Sequence, residues 1–97
     1  MTTPIARAGL DPAAVRDHFP ALLRTLDGQP IAFLDGPGGT QVPAECIEAM
    51  SAYLRASNAN HGGGFLTSHE TDALLHDVHA ASADFVGAND PDEIAFG

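Results

Sequence analysis

Apolar residues recur at helical spacing in two long stretches of the chain, and this pattern predicts two amphipathic helices. The first helix is predicted over residues 43–57, and it begins at a proline, which suits the first turn because it has no amide hydrogen to leave unpaired. Ile47, Met50 and Leu54 fall on one face of this helix. That face is expected to pack into a hydrophobic core.

The second helix is predicted over about residues 68–86 and has a longer apolar stripe. Thr67 and Glu70 have the spacing of a capping box at its start, and Gly87 suits the left-handed conformation at its end. The stripe that is expected to face the core consists of Leu74, Leu75, Val78, Ala81, Ser82 and Phe85.

The residues at the start of the chain predict little regular structure. Residues 1–10 have no periodic pattern and are expected to form a flexible lead. Asp11 and Pro12 then mark the N-cap and the first position of a short helix that ends near Asp17 or His18.

A β-hairpin and one further extended segment complete the predicted fold. Asp27-Gly28 tolerates positive φ at both central positions of a turn, which predicts a β-hairpin with strands over residues 22–26 and 30–34. Residues 93–96 follow a turn and predict the start of a further strand. A short helix, a β-hairpin, two longer helices and the start of a sheet strand together indicate the α/β class.

Charge and composition restrict the chemistry and the partners. The 97 residues include 13 acidic and 4 basic side chains, all arginine, for a net charge of −9 and no lysine. Four scattered arginines cannot form the cationic patch that nucleic acids and anionic membranes require, so neither is expected as a partner. Cys46 is the only cysteine, which favours a cytoplasmic location, and it is predicted to be a buried thiol on the first long helix.

Two glycine-rich loops are the candidate functional sites. Residues 35–40 combine three glycines with Asp35 and Thr40, and residues 58–65 place His61 before three consecutive glycines. Such loops allow a close approach of the backbone to a ligand. A tight turn capped by Asp35 and a merely solvated histidine are the alternatives.

Four side chains on one side of the second long helix have spacings that could gather a metal ion: His69, Asp72, His76 and His79. A solvent-exposed face is the alternative, because no ligand from a second element closes the site and the Glu-containing zinc motif is absent. No metal is expected.

The order of five sequence blocks resembles the amino-terminal part of class V aminotransferase-fold proteins of the cysteine desulfurase-like branch. The blocks are FP at 19–20, DGQPIAFLD at 27–35, GPGGTQVP at 36–43, NANHGG at 58–63 and DEIAFG at 92–97. Each block is weakly specific, and the resemblance depends on their joint order over most of the chain.

This resemblance implies a homodimeric enzyme of fold type I that depends on pyridoxal phosphate and acts on an amino acid, most simply by cleaving the C–S bond of cysteine. Residues 11–66 would belong with the small domain, and residues 67–97 would begin the large cofactor-binding domain. Five residues match positions on the substrate side of the family: His61, Gly36, Pro37, Gly38 and Gly39.

The resemblance assigns no catalytic or cofactor-binding residue to this chain, because the family's Schiff-base lysine, phosphate-binding turn and mobile cysteine would follow Gly97. This stretch alone is therefore expected to be inactive. Gly62 stands where many cysteine desulfurases have arginine, and residues 36–39 are glycine-rich where alanine and serine are usual, which leaves another amino-acid substrate open. The alternative function is a small acidic module that binds a protein partner and has no enzymatic activity.

Overall fold

The computed structural model describes residues 9–97, which contain three α-helices, a two-stranded antiparallel sheet and three 3₁₀ turns. Most of the predicted lead lies outside the described residues. No helix in the described range is long and apolar enough to cross a membrane. The helices are α1 (Pro12–Arg16), α2 (Ala44–Ala56) and α3 (Leu66–Val86), the strands are β1 (Thr25–Leu26) and β2 (Gln29–Pro30), and the 3₁₀ turns are Pro20–Leu23, Gly36–Gly38 and Pro91–Glu93.

The chain divides into two compact units, one that ends at Ala49 and one that comprises Met50–Gly97. This mixture of helices and a small sheet agrees with the α/β prediction at that coarse level. The predicted division at residues 66 and 67 concerns the domains of a longer protein and stays a prediction.

In the first unit, α1 begins where the sequence predicts because Asp11 caps it. The Oδ1 atom of Asp11 accepts a hydrogen bond from the Ala13 amide at 3.0 Å, and Pro12 occupies the first helical position. The helix ends at Arg16, and Asp17 follows as its C-cap.

The predicted β-hairpin forms, but its strands are shorter than predicted. Asp27 and Gly28 have φ angles of 51° and 77°, as the turn requires. Residues 22–23 belong instead to the 3₁₀ turn that Pro20 opens, and residues 31–34 have no regular structure. Two isolated strands have no third strand to pair with and no surface to pack on, so longer strands would gain little stability. The register pairs Thr25 with Pro30 and Leu26 with Gln29.

The start of α2 is bound to the segment that follows α1. The Ala44 amide donates to the His18 carbonyl oxygen at 2.7 Å, which satisfies an amide that the helix itself leaves free. The Nδ1 atom of the His18 ring also forms a hydrogen bond with Oε1 of Glu45, in the first turn of α2. The helix predicted over residues 43–57 is confirmed to within one residue at each end.

In the second unit, α3 begins at Leu66, earlier than predicted, and the Thr67–Glu70 capping box is wrong. Phe65 occupies the N-cap position and makes no side-chain hydrogen bond there. The hydroxyl of Ser68, the third residue of the helix, binds the preceding loop instead. The predicted end is confirmed, since Gly87 adopts the left-handed conformation with φ of 74°.

The apolar stripes of α2 and α3 are exposed in this chain, contrary to the prediction that they face a core. Among the described residues, Ala83 is the only apolar side chain that is buried. Cys46 is also exposed, so its prediction as a buried thiol is wrong. These faces meet too few apolar partners within the described residues to be covered. The exposed stripe residues include Ile47, Met50 and Leu54 of α2 and Leu74, Leu75, Val78 and Phe85 of α3.

The strand predicted over residues 93–96 does not form. Residues 91–93 make a 3₁₀ turn, and residues 94–97 have no strand partner in the described part of the chain. This segment packs back onto α3 instead. The rings of His79 and Phe96 meet edge to face, with 4.9 Å between their centroids and an angle of 83°.

The contact between His18 and Glu45 predicts a pH dependence of stability. The hydrogen bond from His18, assisted by the backbone amide of Glu45, lowers the pKa of the Glu45 carboxyl from its ordinary 4.5. The unfolded chain therefore binds the proton first, so the stabilisation is complete above pH 4.5 and is lost as the pH falls through the folded-state pKa.

We expect the free energy of unfolding, measured by urea titration from about pH 7 to about pH 3, to fall more steeply in the wild-type chain than in Glu45→Gln. Glu48→Gln removes a carboxylate from the same helix without that contact and should keep the wild-type slope. Identical slopes for the wild type and Glu45→Gln would contradict the expectation.

Candidate functional site

The backbone around His61 is fixed by one buried hydroxyl. The Gly63 amide donates to Oγ of Ser68 at 2.6 Å, and the Ser68 hydroxyl donates to the carbonyl oxygen of Asn60, also at 2.6 Å. Ser68 is 0% exposed. Side chains of a helix lean toward its N-terminus, so a serine in the first turn of α3 reaches back into the loop before it.

A second side chain of α3 holds the residue directly after the histidine. The Gly62 amide donates to Oδ1 of Asp72 at 2.8 Å. Residues on both sides of His61 are therefore bound to the first two turns of α3.

Two of the three glycines that follow His61 are required, for different reasons. Gly62 has φ of 78°, which side-chain-bearing residues rarely adopt. A Cβ atom on Gly63 would lie 2.6 Å from Cε1 of Phe65 and 3.0 Å from Oγ of Ser68, so Gly63 provides space for the loop to close on α3. Gly64 has open space around it and needs neither property.

The base of the same loop is joined to both neighbouring helices through Tyr53 and Thr71. The Tyr53 hydroxyl donates to the Ala59 carbonyl oxygen at 3.0 Å and lies 3.1 Å from Oγ1 of Thr71. Thr71 is buried, and its hydroxyl donates to the Thr67 carbonyl oxygen at 2.9 Å. In the described range, no buried polar side-chain atom lacks a partner, so the network that supports the loop is fully satisfied.

The side chain of His61 itself is exposed and forms no hydrogen bond with the other described residues. The fixed backbone and the unengaged imidazole leave both ring nitrogens accessible to a ligand. An imidazole can accept and donate protons near neutral pH. The loop can therefore present a hydrogen-bonding or proton-transferring group to a small molecule.

The other predicted loop lies in the first unit and borders a cavity of about 220 Å³. Gly36–Gly38 form a 3₁₀ turn, and Gly39 follows with φ of 140°, a conformation that favours glycine. The cavity wall is largely apolar and carries one carboxylate and no cationic side chain. It consists of Phe19, Leu22, Phe33, Asp35, Gly36, Gly39, Thr40 and Gln41.

The five predicted site residues lie in two different places. Gly36 and Gly39 line the cavity, whereas Pro37 and Gly38 form the turn beside it without lining it. His61 lies on its own loop in the second unit. The role of these residues toward a substrate stays a prediction.

Sequence reasoning missed the side chains that support the His61 loop. Ser68, Thr71 and Asp72 share one side of α3 at helical spacing, which was a usable signal, but Ser68 and Asp72 bind backbone atoms of the loop, and these leave no trace in the sequence. Asp72, considered above as a metal ligand, instead accepts from the loop amide, and Nδ1 of His79 contacts the Leu75 carbonyl oxygen at 2.7 Å. Within residues 9–97, no group of three side chains is arranged to hold a metal ion.

We expect the two required glycines to be sensitive to substitution and the third to be tolerant. Gly62→Ala forces a left-handed backbone on alanine and should lower the free energy of unfolding by roughly 1–2 kcal/mol. Gly63→Ala should also destabilise the chain, because its methyl group displaces the Phe65 ring and presses on the buried Ser68 hydroxyl. Urea titration at neutral pH measures both changes.

Gly64→Ala is the matched control, with a change within about 0.5 kcal/mol because nothing lies near its added methyl group. Equal stabilities of the Gly62→Ala and Gly64→Ala variants would show that the loop does not hold the described conformation in solution.

The sequence was compared with family models and with curated proteins, and the matches include class V aminotransferases and cysteine desulfurases. The sequence model of the family described as "Aminotransferase class-V" matches residues 32–97. A probable cysteine desulfurase of Streptomyces coelicolor is 35% identical over 89 residues, which make up 90% of this chain and 21% of that protein. A cysteine desulfurase of Cronobacter sakazakii is 35% identical over 83 residues, 84% of this chain and 20% of that protein. A probable cysteine desulfurase of Halobacterium salinarum is 34% identical over 89 residues, 90% of this chain and 21% of that protein.

The chain spans about a fifth of the length of these curated relatives. The family match includes both glycine-rich loops and the whole of α2 and α3. The family membership that the five sequence blocks indicate is therefore confirmed. The chain belongs to the class V aminotransferase family.

Proposed function

We propose that the chain is the amino-terminal part of a cysteine desulfurase-like enzyme of fold type I that depends on pyridoxal phosphate. The complete enzyme would act on an amino acid, with cleavage of the C–S bond of cysteine as its reaction, as the names of the similar proteins suggest. It would be a cytoplasmic homodimer in which residues 11–66 belong with the small domain and residues 67–97 begin the large one. The present chain alone would be inactive.

The observation that carries this proposal is the accessible imidazole of His61 on a loop whose backbone is bound on both sides. A substrate-side residue needs a fixed backbone and a free functional group, and His61 has both. In the complete enzyme it would donate or accept a hydrogen bond at the substrate, or hold a proton there. The turn at residues 36–39 would provide a surface of small residues beside the substrate.

The exposed apolar faces of α2 and α3 support the proposal that more protein covers them. Leu54 and Phe85 are 62% and 90% exposed, which is costly for large apolar side chains that recur at helical spacing. Since the chain corresponds to about a fifth of its relatives, the remaining polypeptide would supply the missing apolar partners.

The residues of this chain do not by themselves fit pyridoxal phosphate. There is no lysine to form a covalent link to it. The cavity beside Gly36 and Gly39 carries the carboxylate of Asp35 and no cationic group, so it does not suit a phosphate. The cofactor, which acts as an electron sink when bound, would therefore be held by residues outside this chain.

The alternative, a small acidic module that binds a protein partner, is not favoured. The family match over residues 32–97 accounts for both glycine-rich loops, which a module that binds through its helices does not require.

The protein expressed from the complete reading frame tests the proposal. We expect it to bind pyridoxal phosphate, seen as visible absorbance, and to release sulfide from cysteine in the presence of a thiol reductant. His61→Ala should lower kcat/KM by about a hundredfold or more if the imidazole moves a proton. His69→Ala removes another exposed histidine, at the start of α3, and should leave kcat/KM unchanged.

A stop codon directly after Gly97, or a complete protein with neither bound cofactor nor sulfide release, would overturn the proposal. Sulfide release that does not respond to His61→Ala would overturn the role of His61 alone.

The isolated chain provides a separate test of its expected inactivity. Incubation of the 97-residue chain with pyridoxal phosphate and then borohydride should leave no cofactor attached to a side chain, because the chain has no lysine. Peptide mass spectrometry distinguishes a side-chain adduct from modification of the terminal amine. A reproducible side-chain adduct would contradict the assignment of cofactor binding to residues outside this chain.

A further inference from the structure

We propose that Ser68 is a positioning residue for His61, with Asp72 as a second support, so that α3 sets the direction in which the imidazole faces the substrate. This inference rests on the proposed function, because it takes His61 to be a substrate-side residue. Ser68 and Asp72 do not contact the substrate in this scheme and act through the loop.

The main argument is the way in which the Ser68 hydroxyl closes the turn that contains His61. Asn60 and Gly63 are the first and last residues of a four-residue turn, in which the first carbonyl commonly accepts directly from the last amide. Here the hydroxyl is inserted between them, since it accepts from the Gly63 amide and donates to the Asn60 carbonyl oxygen at 2.6 Å each. A helix residue therefore bridges the two ends of the turn.

The burial of Ser68 makes this contact hard to replace. Its side chain is 0% exposed, and both of its hydrogen bonds to the loop are partly buried. Removal of the hydroxyl would leave the Gly63 amide and the Asn60 carbonyl without that partner, which favours a different turn geometry. A side chain at position 63 could not replace the hydroxyl, because a Cβ atom there would lie only 3.0 Å from Oγ of Ser68.

Asp72 acts on Gly62, the central residue of the turn that follows His61. Its Oδ1 atom accepts from the Gly62 amide at 2.8 Å, and Gly62 has a positive φ of 78°. A neutral amide oxygen can accept the same bond. Asp72→Asn should therefore preserve the positioning that Asp72→Ala removes.

The first experiment measures the loop directly in the complete protein by amide hydrogen exchange. We expect the Gly63 amide to exchange about tenfold faster in Ser68→Ala than in the wild type. The Gly62 amide should exchange faster in Asp72→Ala and near the wild-type rate in Asp72→Asn. Ser82→Ala, which removes a hydroxyl from α3 far along the chain from the loop, is the matched control and should change neither amide.

The second experiment asks whether Ser68 acts through His61. Ser68→Ala should lower kcat/KM for sulfide release from cysteine by about tenfold to a hundredfold. In a His61→Ala background the same substitution should have no further effect, because the imidazole that it positions is already absent. A merely structural role would lower kcat/KM by the same factor in both backgrounds.

These measurements separate the two proposals. Unchanged Gly63 exchange in Ser68→Ala, or additive effects of Ser68→Ala and His61→Ala on kcat/KM, would overturn the positioning role. A wild-type protein that releases no sulfide would overturn the proposed function instead, and the exchange rates would still report whether Ser68 fixes the turn.

Discussion

The buried hydroxyl of Ser68 is the contact on which the organisation of the second unit depends. A loop of small residues has little apolar surface to hold it in place, and its amides and carbonyls need partners wherever water is excluded. Ser68 meets this requirement with one donor and one acceptor, at the Asn60 carbonyl and the Gly63 amide. The same contact explains why the residue opposite the hydroxyl is glycine.

Polar contacts are prominent throughout residues 9–97 because few apolar side chains in this range are buried. Ser68 and Thr71 are more completely buried than any large apolar side chain in the described range. The start of α2 depends on the backbone and side chain of His18, and the base of the His61 loop depends on the Tyr53 hydroxyl. Helices in proteins receive most of their stability from a packed apolar face, and in this chain those faces remain uncovered. The local geometry of the candidate site is thus well defined although the described residues form little hydrophobic core.

Local elements were predictable where a few neighbouring residues determine the structure. The Asp11 cap, the Asp27-Gly28 turn, the extent of α2 and the Gly87 end of α3 all follow from nearby sequence. Elements that depend on distant partners were predicted less well. The hairpin strands are short, residues 93–96 form no strand, and Cys46 is exposed, because each prediction assumed a neighbouring strand or a core that the described residues do not provide.

The sequence by itself determined that the chain can form two amphipathic helices separated by glycine-rich loops, and the order of its motifs identified the class V aminotransferase family. It also excluded a lysine-based link to a cofactor within these 97 residues. Only the tertiary structure revealed that Ser68 and Asp72 fix the backbone around His61, and that Gly62 and Gly63 are needed for conformation and for space, respectively. The physical reason is that these contacts join side chains to backbone atoms, and every residue has the same backbone groups, so sequence alone cannot identify the partner.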